Sequence, residues 1–197
     1  MTDLMEKFSL EEWIKEGKVG TDLACREITA DIYSRYGKDC EYFVETGTHL
    51  GGGIRTAMYT GEFSKYFSCE LSESRQKQNL ETFKDCEGVH LYVGWSVDSF
   101  KEILPQLDEK SLFFLDAHAE GGGVPTYEEL DLIKEMCDRD DHTIIVDDVP
   151  IYFGDGSALE DKLKWVNPNY VIEKADAMVH GPGTLWKGYR TVAYIKE

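Results

Sequence analysis

The sequence predicts an α/β protein built on a doubly wound, Rossmann-like sheet of seven strands that ends in an antiparallel hairpin. Five short apolar segments alternate with segments of helical periodicity. Three of them, at residues 42–46, 111–116 and 143–147, are nearly continuous apolar runs that end in an acidic residue, which is typical of strands buried on both faces of a parallel sheet. Two final strand segments are separated only by His-Gly-Pro-Gly, residues 180–183, which favours an antiparallel hairpin at the sheet edge.

The elements follow one another in a regular order. A first helix is predicted over residues 21–37, where apolar side chains recur at helical spacing and Gly37 ends the pattern. The five strand segments that follow are residues 42–46, 66–71, 89–94, 111–118 and 142–148. The predicted helices behind them are residues 52–61, 72–86, 97–107 and 126–137. A further helix and the two hairpin strands complete the chain, at residues 157–166, 170–179 and 184–197.

Length and composition favour one domain over residues 1–197, with residues 1–40 as an N-terminal helical segment within it. The chain has no apolar run long enough for a membrane span and no signal-peptide pattern, so we expect a cytoplasmic protein without a membrane partner. Five cysteines form no CxxC motif and no Cys/His cluster, which indicates reduced, structural thiols.

The charge balance limits the class of partner. The formal net charge is -17 at pH 7, so the average surface repels phosphate and no nucleic-acid partner is expected. Neutral, cationic or metal-bridged small molecules fit this surface better, although an acidic surface also serves solubility alone.

The loop after the first strand is the first candidate binding site. Glu45, Gly47 and Gly51 form ExGxxxG at a strand-to-helix junction, where glycines allow a sharp turn and the close approach of a ligand, or serve packing alone. A Glu45 carboxylate facing the ligand would repel a pyrophosphate and attract a cation by roughly 3 kcal/mol at about 5 Å. The dinucleotide fingerprint would also need glycine where this chain has His49. These features favour S-adenosylmethionine (SAM), which carries a sulfonium and an ammonium group but no phosphate, over NAD.

Two further segments could contact the adenosine part of such a ligand. Glu70 ends the second strand segment, 25 residues after Glu45, where a carboxylate can accept hydrogen bonds from both ribose hydroxyls. Its alternative role is to cap the helix that begins near Ser72. Adenine could stack on Trp95 and bond to Ser96, but Trp95 could equally be a core aromatic residue.

The succession ETGTxxGG, CELS, GWxxxSxxxILP, FLDAH and VDD, over about residues 40–195, resembles the small class I SAM-dependent methyltransferases, particularly the macrocin O-methyltransferase-like group. Most methyltransferases carry an acidic residue near position 95 or 96 to contact the adenine amino group, and this chain departs from that pattern. The resemblance implies a SAM site formed by Glu45, Gly47, Thr48, His49, Gly51, Glu70, Leu71, Trp95, Ser96 and Asp116.

The acidic ends of the fourth and fifth strand segments are the candidate chemical centre. Asp116 and His118 would lie beside Glu45 where the strand order reverses, the usual position of chemistry in such sheets. Either residue could act as the catalytic base, since imidazole titrates near neutrality and a carboxylate becomes more basic on burial.

A metal site is a second expectation for these strand ends. Asp116, Asp147 and Asp148 could together hold Mg²⁺, and in macrocin-type enzymes the matching positions resemble a magnesium site used in sugar or phenol O-methylation. This chain has DAH where those enzymes usually have a DGD-like motif. Structural capping by Asp147 and Asp148 is the alternative.

The segment after the fourth strand carries two further predictions. Glycines 121–123 suggest a mobile lid or a backbone-lined substrate wall, and Thr126 with Glu129 forms a predicted capping box at the next helix. Tyr152 and Phe153 could line an acceptor pocket. His49 and His180 are predicted to be exposed polar residues.

Together these features favour a SAM-dependent methyltransferase that acts on an oxygen of a small-molecule acceptor, with possible assistance from Mg²⁺. One alternative is a methyltransferase-fold subunit that binds SAM without transferring its methyl group, and another is an NAD-linked oxidoreductase. The sequence does not identify the acceptor. A homodimer could complete the acceptor pocket.

Overall fold

The computed structural model describes residues 21–119, 123–179 and 184–196, and, within these ranges, the side chains from residue 27 onward except that of residue 179. The described strands are β1 Tyr42–Thr46, β2 Lys65–Glu70, β3 Val89–Val93, β4 Ser111–Leu115, β5 Thr143–Val146, β6 Val171–Val179 and β7 Thr184–Tyr194. The helices are α1 Thr21–Gly37, α2 Gly52–Thr60, α3 Glu73–Thr82, α4 Ser96–Ile103, α5 Thr126–Met136, α6 Val149–Tyr152 and α7 Ser157–Val166. A 3₁₀ turn, Leu104–Gln106, extends α4. The sequence did not predict α6.

The seven strands form one sheet in the order β3-β2-β1-β4-β5-β7-β6. Strands β1 to β5 are parallel, and β7 pairs antiparallel with both β5 and β6. This confirms the predicted five parallel strands closed by an antiparallel hairpin. The predicted turn at residues 180–183, including His180, lies outside the described residues, as do residues 1–20 and glycines 121 and 122.

The sheet separates two apolar cores because successive side chains of a strand point to opposite faces. Val44 and Phe113 belong to the core beneath α4, α5 and α7, whereas Phe43 and Phe114 belong to the core beneath α1 and α2. Every residue of β1, β4 and β5 is buried. Burial on both faces of the sheet therefore explains the continuous apolar runs, as the sequence predicted.

The strand order reverses between β1 and β4. From β1 the chain builds outward through β2 to β3, and then returns to place β4 on the other side of β1. Thr46 pairs with Leu115, so the carboxyl ends of these two strands are level. Parallel α/β sheets form their clefts at such a reversal because the following loops diverge there.

No helix among the described residues is long and apolar enough to cross a membrane. Cys40, Cys69 and Cys137 are free thiols, as predicted for these three.

The junction between β1 and α2 is closely packed around one carboxyl group. Glu45 is only 2% exposed, and its Oε2 accepts a hydrogen bond of 2.8 Å from the Ser68 hydroxyl. A Cβ atom at Gly53 would lie 1.7 Å from Glu45 Oε1, whereas a Cβ atom at Gly52 would meet nothing within 4 Å. Of these two adjacent glycines, only Gly53 is required by packing.

This difference predicts opposite effects of one substitution at neighbouring positions. Gly52→Ala should leave the free energy of unfolding unchanged or raise it by up to about 1 kcal/mol, because alanine favours helices. Gly53→Ala should lower it by about 1–3 kcal/mol, because the new methyl group displaces the buried Glu45 side chain. Urea unfolding of both variants measures the difference. Equal effects of the two substitutions would contradict this account of the junction.

Candidate functional site

A first cleft of about 320 Å³ lies at the carboxyl ends of β1, β2 and β3. Its walls come from the loops that follow these strands and from the loop after β4. The lining residues are Gly47, Cys69, Glu70, Leu71, Gly94, Trp95, Ser96, Ala117 and His118. Five of the ten predicted cofactor contacts therefore line this cleft: Gly47, Glu70, Leu71, Trp95 and Ser96. Asp116 directly precedes the lining residue Ala117.

Glu70 is held in this cleft by backbone amides. Its Oε2 accepts the His49 N–H at 2.8 Å, and its Oε1 accepts the Ser72 N–H at 2.9 Å. The side chain is 7% exposed and lines the cleft. A carboxylate oxygen accepts more than one hydrogen bond, so Glu70 can fix the loops and still accept bonds from a ligand. Ser72 is itself the N-cap of α3, with its hydroxyl accepting the Arg75 N–H, so Glu70 is not the cap.

The glycines of the β1–α2 loop serve packing as well as the cleft. Gly47 has a φ of +88°, and a Cβ atom there would lie 2.8 Å from the Asp116 carbonyl oxygen. Gly51 has a φ of +76°, and its Cβ atom would meet the Phe83 ring at 2.8 Å. Gly47 thus allows the loop to approach both β4 and the cleft, whereas Gly51 allows the loop to pack on the residue that follows α3.

Thr48, His49 and Gly51 do not line the cleft. Thr48 is buried, and its hydroxyl bonds to that of Ser68 at 2.6 Å. His49 is exposed, as predicted, and has a left-handed φ of 47°. The N–H of His49 holds Glu70 and its carbonyl accepts the Asn79 side chain. These residues shape the loop, and their direct contact with a cofactor stays a prediction.

The structure does not support the prediction that Glu45 presents a negative charge to a ligand. Strand alternation directs its side chain toward α2, where it does not line the cleft. Burial raises its pKa from 4.5 to about 8, against the opposing effect of the Ser68 hydrogen bond. This carboxyl is therefore mostly neutral at pH 7, and the expected charge discrimination between SAM and NAD does not come from it.

A second cleft of about 190 Å³ lies at the carboxyl ends of β4 and β5. Its lining residues are Leu115, Asp116, Ala117, His118, Val124, Thr126, Asp147, Asp148, Tyr152 and Phe153. Tyr152 and Phe153 take the lining position predicted for them. Ala117 and His118 belong to both clefts, so ligands in the two clefts would meet across these two residues.

Three potential metal ligands come together in the second cleft. Asp116, His118 and Asp148 each offer one donor atom within 4.8 Å of the other two. Burial and the neighbouring Asp147 and Asp148 raise the pKa of Asp116 well above its usual value. Burial also raises the pKa of Asp148, against the effect of a hydrogen bond from Tyr189. A cation would relieve this repulsion, and two carboxylates with one imidazole suit Mn²⁺ or Fe²⁺ as well as Mg²⁺.

Asp147 is not part of this group, which corrects the predicted trio. Its two oxygens accept hydrogen bonds from Nε and Nη2 of Arg190, at 3.1 and 3.0 Å. Both side chains are nearly buried, at 11% and 9% exposure. The antiparallel pairing of β7 with β5 brings Arg190 to Asp147, and His118 takes the predicted place of Asp147 in the donor set. No local sequence pattern indicates this pairing, because 43 residues separate the partners.

The predicted capping box at α5 is wrong. Helix α5 begins after Pro125 without a side-chain cap, and Thr126 is buried instead. Glu129 is completely buried, and neither of its oxygens has a hydrogen-bond partner among the described residues. Burial raises its pKa from 4.5 to about 7, against the effect of the nearby Ser96 and Thr46 hydroxyls.

The sequence matches no family model and no curated protein, but the fold has close counterparts among solved structures. An O-methyltransferase from Bacillus cereus in complex with SAH has a TM-score of 0.64 at 15% identity, covering 98% of this chain and 91% of its own. The O-methyltransferase TomG from Streptomyces achromogenes, involved in tomaymycin synthesis and in complex with SAM, has a TM-score of 0.65 at 11% identity, covering 98% and 90%. The fold is that of the class I methyltransferases. A spermidine synthase from Thermotoga maritima shares this fold, with a TM-score of 0.61 at 14% identity, covering 87% of this chain and 59% of its own. The fold alone therefore does not define the reaction.

The buried Glu45 carboxyl predicts a pH-dependent loss of stability. Its folded-state pKa of about 8 lies above the ordinary 4.5, so the folded protein keeps a proton that the unfolded chain releases. The contribution of Glu45 to stability is complete below about pH 4.5, falls by up to about 1.4 kcal/mol per pH unit between the two values, and is constant above about pH 8. Urea unfolding of the wild type and of Glu45→Gln from pH 5 to 8.5 should show the wild type losing stability faster.

The matched control for this experiment is Glu41→Gln, because Glu41 precedes the same strand and is exposed. Parallel stability curves for the wild type and Glu45→Gln would contradict the buried, protonated state of Glu45.

Proposed function

We propose that this protein is a SAM-dependent methyltransferase that methylates an oxygen of a small-molecule acceptor. The observation that carries the proposal is the pair of clefts that meet at Ala117 and His118. The first presents a fixed carboxylate suited to a ribose, and the second presents the acid and imidazole groups that proton removal needs. Solved O-methyltransferases of the same fold, bound to SAM or SAH, support this assignment.

The first cleft would bind the cofactor through its fixed polar groups. Glu70 would accept hydrogen bonds from the ribose hydroxyls, since its own position is secured by two backbone amides. Trp95 is only partly buried and lines the cleft, so its ring is available for stacking on adenine. Gly47, without a side chain, lets the backbone approach the cofactor.

The second cleft would hold the acceptor. Bound SAM supplies a methyl group on a positively charged sulfur. The protein must align an acceptor oxygen about 3–3.5 Å from that methyl group and remove its proton. His118 is exposed, lies at the junction of the two clefts and stacks on Tyr152 at 5.9 Å between ring centroids, so its ring is accessible for this task. Asp116, made more basic by burial, is the second candidate base.

A divalent cation in this cleft would be held by Asp116, His118 and Asp148. Such a cation would lower the pKa of an acceptor hydroxyl and orient it. Mg²⁺ assistance therefore remains a proposal, now with His118 in place of Asp147.

Four further properties remain predictions. They are the small-molecule acceptor, the absence of a nucleic-acid or membrane partner, the homodimer and the cytoplasmic location. A SAM-binding subunit without transferase activity, and an NAD-linked oxidoreductase, are the alternatives that experiment must separate from a methyltransferase.

The cofactor assignment predicts that S-adenosylhomocysteine (SAH) binds the first cleft and NAD does not. In isothermal titration calorimetry, Glu70→Ala should weaken SAH binding by about 1.5–3 kcal/mol, because charged hydrogen bonds to the ribose are lost. Glu73→Ala, an exposed carboxylate at the start of α3, is the matched control and should bind SAH as the wild type does.

Binding of NAD but not SAH would overturn the proposal. Turnover of radiolabelled SAM with a panel of phenols, sugars and amines separates an active transferase from a subunit that only binds SAM.

The ligand set of the second cleft predicts which carboxylates govern divalent-cation binding. Asp148→Asn should lower the affinity for Mn²⁺ at least about tenfold in calorimetry. The fold should be retained, because Asp148 has a left-handed φ of 54° and asparagine tolerates this conformation. Asp161→Asn, at an exposed position of α7, is the control. A wild type that binds neither Mn²⁺ nor Mg²⁺ would contradict the proposed cation site.

A further inference from the structure

Helix α3 buries two amide side chains where a surface helix ordinarily buries apolar ones. The structure describes all ten residues of α3, and the buried ones among them are Gln76 and Asn79, at 0% and 2% exposure. The apolar Leu80 of the same helix is exposed instead. A buried amide destabilises a fold unless its hydrogen bonds are made, so the partners of these two side chains indicate their role.

The two amides hold each other in one orientation. Asn79 Nδ2 donates to Gln76 Oε1 at 3.1 Å, and Gln76 Nε2 donates to the Tyr92 carbonyl oxygen at 2.7 Å. Because an amide nitrogen donates and an amide oxygen accepts, these bonds fix which way each group points. Asn79 Nδ2 also donates to the His49 carbonyl oxygen at 2.9 Å. Asn79 thereby connects α3 to the loop between β1 and α2.

His49 carries the effect of Asn79 to the first cleft. Its φ of 47° is left-handed, a conformation that is unfavourable for residues other than glycine and that persists only where neighbouring groups hold it. The hydrogen bond from Asn79 to its carbonyl oxygen is such a restraint. The N–H of His49 donates to Glu70 Oε2 at 2.8 Å. The direction of this N–H therefore depends on the conformation that Asn79 stabilises.

The Glu70 carboxylate is held through both of its oxygens. The Ser72 N–H binds Oε1 at 2.9 Å, and the Arg75 guanidinium lies 3.9 Å from the same oxygen. The His49 N–H binds Oε2. Two bonds, one to each oxygen, define the plane of a carboxylate, whereas bonds to one oxygen leave the group free to rotate. The bond from His49 therefore decides how Glu70 faces the first cleft.

We propose that Asn79 is a positioning residue for the cofactor. It holds the left-handed conformation of His49, whose N–H in turn orients the Glu70 carboxylate toward the ribose hydroxyls. Asn79 is buried and does not line the first cleft, so it acts through the loop and not by contact with a ligand. This rests on the proposed function, in which the first cleft binds SAM and Glu70 accepts its ribose.

The test measures how strongly the cleft recognises the ribose. SAH and its 2′-deoxyribose analogue differ by one hydroxyl group. The ratio of their dissociation constants, measured by isothermal titration calorimetry on the full chain, therefore reports the hydrogen bonding to that hydroxyl. The wild type should bind SAH at least about tenfold more tightly than the analogue, as expected for a hydrogen bond to a charged group. Glu70→Ala should lower this preference to near unity.

Asn79→Leu keeps the size of the side chain and removes its donors. It should lower the preference for SAH to below about threefold, because the hydrogen bond from Glu70 to the ribose is weakened when the carboxylate can rotate. The double variant with Glu70→Ala should lower it no further. Asn79→Ala removes the same amide, favours helix and should give the same result. Gln78→Leu, at the exposed neighbouring position of α3, is the control and should leave the preference unchanged.

His49→Gly tests the route through the loop, because glycine adopts a left-handed φ without a restraint. Added to Asn79→Leu, it should restore most of the preference for SAH. A purely structural role of Asn79 would not be corrected by a substitution in the loop. A lack of restoration would therefore overturn the proposal.

An unchanged preference in Asn79→Leu and Asn79→Ala would overturn the proposal and leave the cofactor assignment intact, even if both variants had a lower Tm. Loss of folded protein in both variants would assign Asn79 to stability alone, which also overturns it. A wild type that binds SAH and the analogue equally would overturn the proposal together with the ribose contact of Glu70. Failure of the wild type to bind SAH would overturn the proposed function itself.

Discussion

The Asp147–Arg190 ion pair is the interaction on which the second cleft depends. It joins the end of β5 to β7, and the same guanidinium donates from Nη1 to the Thr29 hydroxyl of α1 at 3.0 Å and lies over the Phe114 ring of β4 at 5.3 Å. Four elements are thereby fixed around one cation. Because the pair is nearly buried, loss of either partner would leave an uncompensated charge, which typically costs 3–5 kcal/mol. Asp148 follows directly, has a left-handed φ of 54° and donates its N–H to Asp147 Oδ1 at 2.9 Å.

The surroundings of the carboxyl groups at the strand ends give each one a different protonation state or set of bonding partners. Asp147 is neutralised by an arginine, and Glu45 is kept protonated by burial. Glu70 is held by backbone amides and faces a cleft. Asp116 and Asp148 share their space with His118 and repel one another. Only the last group combines acidity, proximity and access, and such unrelieved repulsion is typical of a site built for a ligand and not for stability.

The sequence predicted the strands and the order of elements because burial on both faces of a parallel sheet produces continuous apolar runs, as in residues 42–46 and 111–115. It predicted Glu70 because this residue ends a strand, and the cleft-lining pair Trp95 and Ser96 because they lie in the loop after the next strand. It failed where the outcome depended on distant residues. The Asp147–Arg190 pair depends on the antiparallel register of β7. The side of the sheet that the Glu45 side chain faces depends on which residues of β1 point to each face. Glu129 matched a capping pattern locally, but the contact between α4 and α5 directs it inward.

The wall between the two clefts has a consequence for how this protein could change. Only Ala117 and His118 are shared by both clefts, so the two binding surfaces are nearly independent sets of residues. Val124, Tyr152 and Phe153 border the second cleft alone. Under the proposed function, substitutions at these three positions would change which acceptor binds while the proposed cofactor surface stays unaltered. Ala117 is the exception, because a longer side chain there would widen the wall between the clefts and would move the two proposed ligands apart.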